Sequence, residues 1–88
     1  MKTQSKTFGT VKVVMVLYDD AGATINIWLK TTAEDVESAK KLPHIYKIVD
    51  GFTLLESGNY FDQENAKNDY KHITSDRKAT QYAYNLVF

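Results

Sequence analysis

The sequence predicts a single α+β domain over residues 1–88: a mainly antiparallel sheet of four to five strands with two helices on one face, in the order β-β-α-β-β-α-β. Three observations carry this expectation. Strand-length segments rich in Val, Ile and Leu flank tight-turn residues at Asp19–Gly22 and Asp50–Gly51. Two stretches of helical apolar spacing, near 31–42 and 62–73, each begin at a capping residue. The 88 residues, 43% hydrophobic and 25% charged, suit one thin-cored globule rather than a disordered chain.

The first strand runs from Thr10 to Tyr18, and "DDAG" reads as a type I turn with Asp19 first and Gly22 fourth. A three-residue loop with Gly22 left-handed sets Asp19 opposite Ala23. Counting outward, Leu17 meets Ile25, Met15 meets Ile27 and Val13 meets Leu29 on a core face. The other face then carries Tyr18 beside Thr24, Val16 beside Asn26, Val14 beside Trp28 and Lys12 beside Lys30. A slip of one residue would mix polar with apolar side chains on both faces, which disfavours it.

"TTAEDVESAKKLP" predicts a short helix, with Thr31 and Glu34 as a capping box, Lys40 and Lys41 in the last turn and Pro43 as the stop. Val36, Ala39 and Leu42 form its apolar stripe, which needs the sheet for support. "HIYKIVDGFTLLES" reads as two strands around a type I′ Asp50-Gly51 turn, the alternative being one bent strand with Gly51 at a bulge. Gly58 and Asn59 break that pattern. The second helix starts behind Asp62 and aligns Ala66, Tyr70 and Ile73. "KATQYAYNLVF" alternates with period two and predicts a closing strand. Without its first strand the order is ferredoxin-like, but the interior position of the next strand in that fold leaves no edge for a hairpin partner.

Eleven basic and eleven acidic residues cancel, so no global field attracts nucleic acid or an acidic membrane. The absence of cysteine removes disulfides, thiolate ligands and thiol nucleophiles, and favours a reducing setting. Lys12 interrupts the only leader-like start, and no run approaches the roughly 20 apolar residues of a membrane helix, so the expectation is a cytoplasmic protein. His44 and His72 are too few for a zinc site without cysteine. His72 and Asp76 have helical spacing for a base dyad, yet a histidine at a helix end is the plainer reading. Asp19 and Asp20 are what a type I turn requires. No phosphate loop, dinucleotide fingerprint, nucleophile elbow or zinc-protease motif is present. A non-enzyme without cofactor or metal is expected.

The functional lead is the outer face of the first hairpin. If helices cover one side of the sheet, the other should alternate apolar with polar residues, whereas Val14, Val16 and Tyr18 share it with Trp28. Together they would present an apolar patch on the order of 500 Å². Lys12, Val14, Val16, Tyr18, Trp28 and Lys30 are therefore the candidate partner-binding residues. The occupant expected is a protein partner or a second copy, as for an inhibitor, adaptor or virus-encoded accessory protein; base stacking of single-stranded nucleic acid on the same face is the alternative. The opposing reading is that a loop, the N-terminal arm or Tyr60 and Phe61 fold over the patch. Tyr82 and Tyr84 are read as rim-reaching core residues or as an extension of the Trp28 surface.

Overall fold

The computed structural model describes residues 1–42 and 47–87. Three antiparallel strands open the chain: β1 (Lys2–Phe8), β2 (Val11–Leu17) and β3 (Ala23–Lys30). Helix α1 (Ala33–Lys41) leads to the hairpin of β4 (Ile48–Val49) and β5 (Phe52–Tyr60), and helices α2 (Gln63–His72) and α3 (Asp76–Val87) follow. The sheet order is β1-β2-β3-β5-β4, antiparallel at every pairing. The α+β class and the antiparallel sheet agree with the sequence reading; the element order differs at both ends. β3, α1 and β4 form a split βαβ unit with β5 between the two strands, but the ferredoxin-like arrangement stops there: its closing strand is replaced by helix α3, and β2 holds the place beside β3.

Strand β1 was not foreseen because "KTQSKTF" has no apolar face. Its pairing follows from Gly9, whose φ of +61° starts the two-residue Gly9-Thr10 turn that sets Phe8 opposite Val11. Lys6 stands opposite Val13 and so points toward the helices, where its ammonium donates to the Tyr70 carbonyl and lies 4.1 Å from the Tyr70 ring centroid. At an edge such a lysine reaches water; another strand laid alongside would bury it, which discourages edge pairing.

The β2–β3 hairpin has the expected three-residue loop, one position earlier than predicted. Ala21 takes the left-handed conformation (φ 74°), and the Tyr18 amide donates to the Gly22 carbonyl at 2.9 Å. Leu17 thus opposes Ala23, Met15 opposes Ile25 and Val13 opposes Ile27. The register is two residues from the expectation, and an even shift leaves every side chain on its assigned face. Gly22 serves close approach instead of positive φ: a Cβ there would stand 3.2 Å from Asp20 Oδ1 and 3.3 Å from the Tyr60 carbonyl oxygen. The Gln63 amide ties α2 to this turn by donating to the carbonyls of Tyr18 (2.6 Å) and Gly22 (3.2 Å).

Asp50 (φ 52°) and Gly51 (φ 81°) form the type I′ hairpin expected. The bulge weighed for Gly51 lies elsewhere, where β5 shifts register between Ile27 and Trp28 so that Ile27 opposes Glu56 and Trp28 opposes Leu54. Gly58 and Asn59 sit inside β5, not beyond its end. Helix α1 is capped one residue later than predicted, by Thr32 and Asp35, and buries no residue: Val36 and Leu42 are exposed. Helix α2 starts at Asp62 as expected, whose carboxylate accepts the Glu64 amide at 2.8 Å.

The last segment is a helix, not a closing strand. The Ser75 hydroxyl accepts the Lys78 amide (3.1 Å), its carbonyl accepts the Ala79 amide (3.0 Å), and Ala79 and Ala83, one turn apart, face the sheet. Ala66, Ala79 and Ala83 are fully buried against Val11, Val13, Met15, Ile25 and Ile27, with Ile73 completing the core. Their small side chains let α2 and α3 lie close to the sheet. The predicted stop at Pro43, the beginning of the fourth strand at His44–Tyr46 and the place of Phe88 lie outside the described residues.

Candidate functional site

Helices α2 and α3 pack on the side of Val13, Met15, Ile25 and Ile27. The opposite side carries Lys12, Val14 and Val16 from β2, Asn26, Trp28 and Lys30 from β3, and Phe52 and Leu54 from β5. Of the predicted partner-binding residues, Lys12, Val14, Val16, Trp28 and Lys30 lie on it within the strands, and Tyr18 reaches it beyond the end of β2. Tyr18 follows the end of β2, with its hydroxyl 3.3 Å from Thr24 Oγ1.

The two-residue register shift changes the neighbours on this face. Trp28 stands opposite Lys12, and Val14 opposite Asn26. The apolar continuation of Trp28 comes from the other flank, where it opposes Leu54, and from the β4–β5 hairpin, where Phe52 opposes Val49. A pocket of about 150 Å³ opens between Lys12, Val14, Asn26, Trp28, Val49 and Phe52. The Lys12 ammonium lies 5.4 Å from the Phe52 ring centroid, within cation–π range. Val14, Val16, Trp28, Phe52 and Leu54 are half-buried. Three of the proposed covers lie elsewhere: β1 runs along the sheet edge, Tyr60 opposes Ala23 on the helix side, and Phe61 is fully exposed. Val49, Phe52 and Leu54 were missed as site residues because their proximity to Trp28 depends on β5, not β4, lying beside β3.

A second concavity, of about 600 Å³, opens on the helix side between β5, α2 and α3. Tyr60 Oη donates to Asp69 Oδ2 at 2.6 Å and lies 2.7 Å from Tyr82 Oη. Burial, aided by the hydrogen bonds to Asp69 and Tyr82, pushes the Tyr60 phenol far above the ordinary tyrosine range. Burial likewise raises Tyr82, against the lowering effect of its hydrogen bond with Tyr60. Gly58 makes room for this cluster: a Cβ there would overlap the Tyr82 hydroxyl. Reading residues 78–88 as a strand had placed Tyr82 with Tyr84 as a candidate extension of the Trp28 surface. On α3 the two diverge, Tyr82 turning to this cluster and Tyr84 to solvent.

The carboxylate and histidine candidates have structural roles. Asp20 Oδ1 accepts the Gly22 amide at 3.0 Å, and Asp19 Oδ1 pairs with the N-terminal ammonium at 2.6 Å. His72 closes α2, with Nδ1 2.7 Å from the Asn68 carbonyl, whereas Asp76 opens α3 and accepts the Arg77 amide. They do not share a helix face. Among the described residues no group of three His, Asp or Glu could hold a metal ion, and no helix is long and apolar enough to cross a membrane. Compared with family models, curated proteins and solved structures, the chain matches none.

Proposed function

We propose that the protein acts by binding another protein, which docks around Trp28 on the face of the sheet opposite α2 and α3. The observation that carries this reading is the placement of α2 and α3 on one side while Val14, Val16, Trp28, Phe52 and Leu54 line the other. A tryptophan beside a small apolar pocket, rimmed by Lys12, Asn26 and Lys30, has the make-up of an interface anchor. No cofactor or turnover enters this reading, and it suits an inhibitor or adaptor. Nucleic acid is the weaker occupant. The chain carries no net charge, and the Lys12 ammonium on this face already lies against Phe52.

Capture on immobilised full-length protein, followed by identification of the bound protein and direct titration against it, tests the proposal. Trp28→Ala, checked for an unchanged circular dichroism spectrum, is expected to weaken binding by about 2 kcal/mol or more. Equal affinity of the wild type and the folded variant would refute the docking face. Saturable quenching of Trp28 emission by a single-stranded oligonucleotide at low salt would favour base stacking instead, and a concentration-dependent mass abolished by Trp28→Ala would make the partner a second copy.

A further inference from the structure

The geometry points to a binding site for an organic cation, an alkylammonium or alkylguanidinium group, in the groove between β5, α2 and α3. This groove lies on the helix side, so the inference is independent of the outer face. Each tyrosine hydroxyl has one proton. Tyr60 gives its proton to Asp69 Oδ2, so the 2.7 Å contact with Tyr82 must use the proton of Tyr82. The Tyr82 oxygen is left with lone pairs only, and Asp69 Oδ1 has no hydrogen-bond partner among the described residues. The centre of the cluster is therefore an acceptor pole carrying a carboxylate charge.

Two donors on the groove wall are engaged with neighbouring groups. Lys78 Nζ donates to Thr74 Oγ1 at 3.1 Å, and Gln81 Nε2 donates to Asn85 Oδ1 at 2.9 Å. His72 Nδ1 meets the Asn68 carbonyl, and in the neutral ring this proton position leaves Nε2 as a further acceptor. Lys78 is the one cation on the wall; it is exposed and its field is screened by solvent. Apolar surface from Tyr82, Ile73 and Leu86 can accommodate an alkyl stem, and about 600 Å³ is ample for a small ligand. An incoming cation would meet lone pairs and a carboxylate at its head and hydrocarbon along its stem; an anion would meet the same pole with repulsion.

Such a group could be a free amine or the side chain of a lysine on another protein. Chemical-shift titration of the ¹⁵N-labelled full chain at low salt, with 1,5-diaminopentane in one arm and N-acetyl-lysine methylamide in the other, tests the site. Saturable shifts at Asp69, Tyr82 and Asn85 are expected with at least one of these probes, and none with 1-pentanol. The tighter of the two identifies the source. Asp69→Asn keeps a carbonyl to accept the Tyr60 proton and removes the charge, so the variant should fold and bind about tenfold more weakly or worse. Tyr82→Phe, which removes the second acceptor, should weaken binding as well. Absence of saturable shifts with both cations, equal shifts with pentanol, or undiminished binding by a folded Asp69→Asn protein would overturn the proposal.

Discussion

Gly58→Ala tests the packing that builds the helix-side cluster. The backbone of Gly58 lies outside the left-handed region, so alanine is conformationally acceptable there and by itself would stabilise the fold by about 0.4 to 1 kcal/mol through the unfolded chain. The new methyl group, however, would overlap the Tyr82 hydroxyl and stand 3.2 Å from Tyr82 Cζ and 3.3 Å from Leu86 Cδ1. Displacing the phenol carries an overpacking cost of about 1 to 3 kcal/mol. Losing the Tyr60–Tyr82 hydrogen bond adds roughly 1 kcal/mol. The net expectation is destabilisation of about 2 kcal/mol, a fall in Tm on the order of 10 °C for a domain of this size. Urea unfolding followed by circular dichroism, for the single variants and for Gly58→Ala with Tyr82→Phe, reads it out. Tyr82→Phe removes the overlapped atom, so in that background Gly58→Ala should cost less than about 1 kcal/mol, giving a coupling of about 1 kcal/mol or more. Costs that add to within roughly 0.3 kcal/mol would refute this account of Gly58.

Two further outcomes follow from backbone and charge. Ala21→Gly should stabilise the protein by about 0.5 kcal/mol, because alanine at a φ of 74° is strained by more than the extra unfolded-state freedom of glycine; a lower Tm would show that the loop is not held as described. Stability should also fall as pH rises above about 10, where tyrosines of the unfolded chain ionise. Burial holds Tyr60, Tyr70 and Tyr82 protonated in the fold, so the native state there binds more protons than the unfolded one. Lys6, lowered by burial, acts with the opposite sign, but it is one group against three. Thermal scans across this range should show a shallower fall for Tyr82→Phe, and an equally steep one would argue against a tyrosine origin.

The parts of this fold legible in the sequence are those whose signal is local. The Asp62 cap and the Ala66, Tyr70 and Ile73 spacing located α2, and Asp50-Gly51 located its hairpin. The core face of β2 and β3 was correct despite the wrong register, since the two registers differ by an even number of residues. Strand β1 escaped notice because a polar edge strand needs only an open neighbouring edge and a suitable turn. Helix α3 was mistaken for a strand because Ala79 and Ala83, four residues apart, fit both periods. Ser75, with Tyr82 and Leu86 completing the one-turn spacing, was the overlooked helical sign.

By itself the sequence determined the α+β class, the apolar stripe of α2 and the unusual outer face of β2, because alternation and capping act over a few residues. Which neighbours those side chains meet was decided only in three dimensions. Trp28 joins Phe52 and Leu54 because β5 takes the place beside β3, and Tyr60, Asp69 and Tyr82 converge because two helices close over a glycine. Contacts between distant segments depend on strand order and close packing, and periodicity along the chain encodes neither.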